Sequence, residues 1–164
     1  MESTVQTIVD GLGGKVSKEM IVFIVSMIPV LELRGSLLAA GFLKMNFVSS
    51  YIMAVLGNMV PIPFLLLFID KIFSMLKKTK LQKIVRRIEN RALSKAGQVK
   101  KYRSLGLFLF VAIPLPGTGA WTGAIVASLL KIKPRKAILP IFAGVVTAGL
   151  IMSIISFGVI KQVF

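Results

Sequence analysis

A charged pair interrupts the first long apolar run of the chain. Glu32 and Arg34 stand two residues apart, with Pro29 before them and Gly35 after them. An ionisable side chain at membrane depth costs at least about 2.5–3.5 kcal/mol, so such side chains usually mark a site or a pathway. Pro and Gly break helices, and non-helical backbone at that depth is tolerated only where protein or a water-filled cavity surrounds it. The segment therefore predicts two half-length helices around a polar break, rather than one spanning helix.

A second broken segment lies 87 positions further on, and the two align without a gap: Pro29 falls on Pro116, and Lys44 falls on Lys131. In both copies a broken apolar segment precedes a lysine-containing turn and an unbroken apolar span. Paired segments interrupted by Gly and Pro in two halves of a chain point to the binding site of a transporter. The second break reads Ile113-Pro114-Leu115-Pro116-Gly117-Thr118-Gly119-Ala120-Trp121.

The composition predicts an all-α polytopic integral membrane protein. Hydrophobic residues make up 55% of the chain, and the mean hydropathy is +0.85, well above ordinary soluble domains. The net charge of +15 lies mostly between apolar segments, which favours cytoplasmic loops over nucleic-acid binding. The chain contains no cysteine and no histidine. Disulfides, thiol chemistry and histidine-based metal sites are therefore excluded, and we expect no cofactor, no metal and no enzyme activity.

The elements predict one membrane domain, 1–164, made of two repeats. Repeat one, 1–70, holds an N-terminal amphipathic helix, a re-entrant hairpin and the span Phe47–Ile69. A basic amphipathic helix, 71–103, suits an anionic leaflet. Repeat two, 105–164, holds a second hairpin and the span Ala137–Ile160.

The charges predict an inverted topology. The basic segment 71–103 and the basic turn Lys131–Lys136 are expected on the cytoplasmic side. The second hairpin must then enter and leave on that side, and the first must enter from outside. Both termini lie outside, in the inner membrane of a bacterium or archaeon, and inverted repeats of this kind are common in secondary transporters.

Two motifs resemble those of a known family. Glu-Leu-Arg-Gly at 32–35 and Pro-Leu-Pro-Gly-Thr-Gly-Ala-Trp-Thr-Gly at 114–123, with the basic helix between them, are similar to the small multidrug export proteins. That family looks like a compact relative of the DedA (VTT-domain) superfamily. The resemblance implies two opposed re-entrant hairpins at a central cavity, and proton-motive-force-linked movement of drugs or of lipids such as undecaprenyl phosphate. DedA proteins usually place an arginine after the proline of the second hairpin, where this chain has Gly117-Thr118-Gly119.

The candidate site residues come from the two breaks and the first span. Those predicted to bind substrate or proton are Glu32, Arg34, Gly35, Asn58, Pro116, Gly117, Thr118, Gly119 and Trp121. The predicted hinges are Pro29, Pro61 and Pro114.

Structural roles stay open for the same residues. Glu32 and Arg34 can form an ion pair that only holds the hairpin, and Arg34 can instead clamp a phosphate or cap carbonyl groups. The glycine-rich run can bind an anion or simply reverse the chain. Trp121 can stack on a substrate or anchor at the interface, and Asn58 can bond a neighbouring helix.

The leading prediction is a proton-coupled secondary transporter of an amphipathic substrate, in which Glu32 exchanges protons and Arg34 engages an anionic group. A unit this small is expected to need a second copy to enclose its hairpins, so we predict a homodimer among membrane lipids. A channel for ions or small solutes and a non-transporting membrane scaffold are the alternatives.

Overall fold

The computed structural model describes residues 16–115 and 117–163, and the side chains up to residue 156 with the exception of Gln98. Within that part every regular element is a helix, in agreement with the predicted all-α class. Most of the predicted N-terminal amphipathic helix and Pro116 lie outside the described residues. The helices are α1 Lys18–Met27, α2 Glu32–Phe42, α3 Phe47–Met59, α4 Pro61–Leu76, α5 Gln82–Ser94, α6 Gly97–Ala112, α7 Ala120–Leu129 and α8 Pro134–Val163.

The chain divides into two compact units, one of Met1–Pro61 with Val145–Phe164 and one of Ile62–Gly144. We refer to them as unit one and unit two. The long α8 begins in unit two and ends in unit one. The predicted single domain 1–164 with repeats at 1–70 and 105–164 stays a prediction.

Helices α1 and α2 form a short antiparallel hairpin in unit one. The Ser17 hydroxyl caps α1 by accepting a bond from the Met20 N–H at 3.3 Å. Buried side chains of both helices pack together, and Lys18 Nζ, at the start of α1, donates to the Leu43 carbonyl at the end of α2 over 2.9 Å. The buried residues of this core are Ile21, Val25, Leu31 and Ala39.

Helix α3 packs closely against the hairpin. Asn46 caps its start, with Oδ1 accepting a bond from the Val48 N–H at 2.8 Å. Gly57 lies against the Phe23 carbonyl and the Ser26 hydroxyl, so a side chain at this position would collide with α1. Small residues permit such close helix contacts inside a membrane.

Unit two contains the equivalent hairpin, α6–α7, together with α4 and α5. A kink at Arg103, with φ 43° and ψ −105°, divides α6. Gly123 of α7 and Gly144 of α8 both lie against Val111 of α6. A second core joins α4, α5 and α7, with Ile69, Phe73 and Val85 buried and Leu65, Leu76 and Ile125 packed on them.

The two hairpins end in the same turn, 87 positions apart. The N–H groups of Leu43, Lys44 and Met45 donate to the carbonyls of Ala39, Gly41 and Ala40. The N–H groups of Leu130, Lys131 and Ile132 donate to those of Val126, Ser128 and Ala127, which is the same set of bonds shifted by 87. Helices α3 and α8 then begin at Phe47 and Pro134, also 87 apart.

Two helical stretches are long and apolar enough to cross a membrane, Phe47–Leu76 with 30 residues and Pro134–Ser156 with 23. The first joins α3 and α4 and continues seven residues beyond Ile69, the predicted end of the span. Large apolar side chains are exposed along both, at spacings of three and four residues that place them on one helix face. They include Val48, Ile52, Leu56, Phe64, Leu67, Phe68, Leu139, Phe142, Leu150 and Ile154.

Candidate functional site

Glu32 is the first residue of α2 and is buried, with 7% of its surface exposed. Its backbone is left-handed, at φ 48°, and its N–H donates to the Ile28 carbonyl over 2.8 Å. The left-handed region is uncommon for residues other than glycine. The turn between α1 and α2 therefore ends, with a left-handed residue, at the position that bears the buried carboxylate.

Arg34 is half-buried and interacts electrostatically with the Glu32 carboxylate. The predicted pair is therefore a coupled pair of charges inside unit one. Gly35 is buried, and a side chain at that position would collide with Leu31. The absence of a side chain at Gly35 therefore leaves room for Leu31 beside the first turn of α2.

Asn58 is also buried in unit one, and its Oδ1 has no hydrogen-bond partner among the described residues. The hydroxyls of Ser153 and Ser156 on α8 share this condition. An unpaired buried polar atom costs about 1–3 kcal/mol. Hydrophobic packing in unit one does not explain why these three polar atoms are buried.

The second break is held by its own backbone and by one side chain. Gly117 and Gly119 have positive φ values of 76° and 135°, which glycine adopts most readily. The Thr118 hydroxyl lies 2.8 Å from the Leu115 carbonyl and 2.9 Å from the Ile113 carbonyl. Gly117 and Gly119 therefore supply backbone conformations of the connection between α6 and α7, and the role of the run in binding an anion stays a prediction. Trp121 lies half-buried in the first turn of α7, with its indole nitrogen buried.

A basic side chain contacts this second break. Lys95, just after α5, places Nζ against Gly117, so a side chain at Gly117 would displace the ammonium group. The two residues border a cavity of about 430 Å³, whose lining combines two cations with apolar side chains. The lining residues are Ile88, Arg91, Ala92, Lys95, Gly117, Thr122 and Ile125.

Sequence reasoning missed Lys95 and Arg91 because it assigned the basic segment to the membrane surface. That segment covers the end of α4, all of α5 and the start of α6. The signal was available in the spacing: Ile88, Arg91, Ala92 and Lys95 recur every three or four residues and so share one face of α5.

The predicted site residues fall into two groups. Glu32, Arg34, Gly35 and Asn58 lie in unit one, and the glycine-rich run with Trp121 lies in unit two. Two of the predicted hinges lie between helices, Pro29 in the exposed tip of the first hairpin and Pro114 before α7, while Pro61 is the first residue of α4, at its junction with α3. Whether they act as hinges stays a prediction.

The remaining carboxylates of the described chain are surface or paired groups. Asp70 accepts a bond from the Ser128 hydroxyl at 2.6 Å and pairs with Lys131 at 2.9 Å. Glu89 pairs with Lys77 at 2.6 Å, and Glu19 is exposed. Within the described residues no three His, Cys, Asp or Glu side chains cluster as metal ligands.

One family model, described as a putative small multi-drug export protein, matches residues 32–151. The match begins at Glu32, the first residue of α2, and extends through the second hairpin into α8. No match to this chain was found among curated proteins or among solved structures. The relation to the DedA superfamily therefore stays a prediction.

Proposed function

The chain belongs to the family of putative small multi-drug export proteins, and from that premise we propose that it is a proton-coupled secondary transporter of an amphipathic substrate. The family description agrees with transport in general, and the two long apolar helices agree with a membrane location. The substrate class, the coupling ion and the mechanism are our proposal.

The observation that supports proton coupling best is the burial of Glu32 beside Arg34. It is the only carboxylate classed as buried in the described part of the chain. A buried charge is costly unless it is paired, and ionisable groups at membrane depth commonly serve proton relays. We propose that Glu32 binds and releases the transported proton, and that Arg34 stabilises its ionised form.

The hairpins supply the proposed route. We propose that α1–α2 and α6–α7 are re-entrant hairpins that enter the membrane from opposite faces, in two inverted repeats. Helices α1, α2 and α7 have 10, 11 and 10 residues, well short of the roughly 20 that a spanning helix needs. Rocking of one repeat against the other would give alternating access, and a homodimer would enclose the hairpins.

The second break suggests how an anionic group would be held. Lys95, just after α5, lies against Gly117, and we propose that it takes the role of the arginine that a DedA-type hairpin usually carries. The apolar side chains Ile88 and Ile125 border the same cavity. That combination suits an amphipathic anion such as a lipid phosphate, while a lipophilic drug would use the apolar part alone.

Flux in proteoliposomes tests the proposal. A fluorescent short-chain polyprenyl phosphate and a lipophilic cationic dye are followed under an imposed pH gradient, with Glu32→Gln beside the native protein. Glu19→Gln is the matched control because Glu19 is an exposed carboxylate on α1 of the same hairpin.

We expect gradient-dependent movement of at least one probe, lost in Glu32→Gln and retained in Glu19→Gln. Movement of the lipid identifies a lipid substrate, and movement of the dye alone identifies drug export. A rate that never saturates with substrate would instead indicate a channel. Absence of flux of both probes in a correctly inserted native protein would refute the transporter proposal and leave Glu32 and Arg34 as a structural pair.

A further inference from the structure

Unit two has another cavity, at the turn where the second hairpin ends and α8 begins. Its volume is about 570 Å³. Three segments of chain form its wall: the kinked part of α6, the end of α7 and the start of α8. Five of its lining residues are cations, Lys100, Arg103, Lys131, Lys133 and Lys136.

Most of this positive charge is not compensated within the unit. Unit two contains sixteen basic residues and two acidic ones. Asp70 pairs with Lys131, and Glu89 pairs with Lys77, which does not line the cavity. Four like charges therefore border one cavity without a carboxylate, an arrangement that favours an anionic occupant.

The fold does not require these cations. The turn that ends the first hairpin makes the same three backbone hydrogen bonds with Lys44 as its only basic residue. Asn46, Val48 and Ser49 stand there at the positions of Lys133, Arg135 and Lys136. The first turn thus serves as an internal control, and it shows that the charges of the second are not needed for its shape.

The location of the cavity indicates which anion it meets. Lys133 immediately precedes Pro134, the first residue of a candidate membrane span, and Lys136 lies in its first turn. The start of a span lies at the level of the lipid headgroups. Leu139, 71% exposed, lies three residues beyond Lys136 and so on the same side of α8, where an acyl chain can pack.

We propose that this cavity binds the phosphate-bearing headgroup of an anionic phospholipid. The site holds a lipid of the surrounding leaflet and is separate from the transport route. It depends on the membrane location of the chain and not on transport activity.

Lipid retention in native mass spectrometry tests this site on the purified full-length protein. The protein is titrated in detergent with dioleoyl phosphatidylglycerol, and with dioleoyl phosphatidylcholine for comparison. The test variant is Lys133→Gln with Lys136→Gln. The control is Lys78→Gln with Lys80→Gln, which removes the same charge from exposed positions of the basic segment that do not line the cavity.

We expect phosphatidylglycerol to bind in preference to phosphatidylcholine. The test variant should lose about tenfold or more in affinity, since each cation near a membrane surface contributes to the attraction of anionic lipid. The control variant should stay within about twofold of the native protein, because Lys78 and Lys80 do not line the cavity and charges at a distance are screened by salt. Lys100→Gln, on the α6 wall, should weaken binding as well, which keeps the test available if the double variant does not fold.

Three outcomes would overturn the proposal. Equal losses in test and control variants would show that the attraction is general surface charge. Equal binding of both lipids would show that the headgroup charge is not recognised. Equally tight binding of soluble glycerol phosphate, competing fully with phosphatidylglycerol, would identify a site for free phosphate esters instead of a lipid.

Discussion

Lys44 and Lys131 stand 87 positions apart and share a left-handed backbone, with φ values of 50° and 56°. Each lies two residues beyond the last residue of a short helix, and each donates its N–H to a carbonyl three residues earlier. The final bond of each turn spans five residues, as in the Schellman motif that commonly ends helices. Because the two lysines occupy matching positions, they can be used to test whether the two repeats are inverted.

Single cysteines at these two positions should react from opposite sides of the membrane. The native chain has no cysteine, so a membrane-impermeant maleimide reports only the introduced thiol. In intact cells we expect Lys44→Cys to be labelled, and Lys131→Cys to be labelled only after permeabilisation. Lys80→Cys, in the basic segment, should behave like Lys131→Cys. Labelling of Lys44→Cys and Lys131→Cys from the same side would contradict the inverted arrangement.

Glycine at Lys44 should stabilise the protein. A left-handed conformation costs a non-glycine residue roughly 1–2 kcal/mol, while the greater freedom of unfolded glycine takes back roughly 0.5–1 kcal/mol. We expect Lys44→Gly to raise the free energy of unfolding by about 0.5–1 kcal/mol, measured by denaturant titration in mixed micelles. Alanine at this position must adopt the same left-handed backbone. An equal gain in unfolding free energy from Lys44→Ala would therefore show that loss of the lysine side chain, and not relief of the backbone, stabilises the protein.

The same change at Lys131 should gain less. Lys131 Nζ pairs with Asp70 at 2.9 Å, and glycine removes that contact. Because both side chains are substantially exposed, the pair contributes only about 0–1 kcal/mol. The difference in unfolding free energy between Lys131→Gly and Lys44→Gly in the same titration measures the contribution of the ion pair. A larger gain for Lys131→Gly would show that the pair does not stabilise the protein.

A methyl group at Gly57 should loosen unit one. The added Cβ would collide with the Phe23 carbonyl and the Ser26 hydroxyl, and backbone atoms cannot move aside cheaply. Overpacking typically costs about 1–3 kcal/mol, so we expect Gly57→Ala to lower the unfolding midpoint. Gly97, on the first turn of α6, has open space around it, and Gly97→Ala should be neutral or slightly stabilising. Equal behaviour of the two variants would refute the close contact of α1 and α3.

Removing the Ser128 hydroxyl should weaken the attachment of α7 to α4. Ser128 is buried and donates to Asp70 over 2.6 Å. A hydrogen bond to a charged group contributes about 1.5–3 kcal/mol, and the partial exposure of Asp70 reduces this. We expect Ser128→Ala to lower the free energy of unfolding by about 1 kcal/mol, with Ser128→Thr closer to native. A larger loss from Lys131→Gln would show that the ion pair is the stronger of the two contacts.

Much of the architecture follows from segment length. The apolar stretches on either side of Glu32–Arg34 are too short to span a bilayer, and the structure has the short helices α1 and α2 there, with Glu32 and Arg34 in the first turn of α2 and the break before them. The glycines of the second break are likewise predictable from the sequence as turn residues, and Gly117 and Gly119 adopt the positive φ values that favour glycine. Helix starts at Phe47 and Pro134 follow a capping Asn46 and the fixed φ of proline.

Other features depend on tertiary packing and could not be read from local signals. A left-handed Lys44 contradicts the usual preference for glycine, so its sequence gives no warning. Lys95 reaches Gly117 only because α5 packs against α4 and α7 through Val85, which local periodicity does not encode. The inversion, the re-entrant depth of the hairpins and the homodimer stay predictions, which the labelling and flux experiments address.

The two matching turns have the same backbone hydrogen bonds but different charges. Main-chain bonds define the turn, so its side chains were available to selection without any rebuilding of the scaffold. The first turn has Lys44 as its basic residue, where the second has Lys131, Lys133, Arg135 and Lys136. Two turns with one backbone shape can in this way present two different surfaces, and an engineer could exchange those surfaces by transplanting the same few residues.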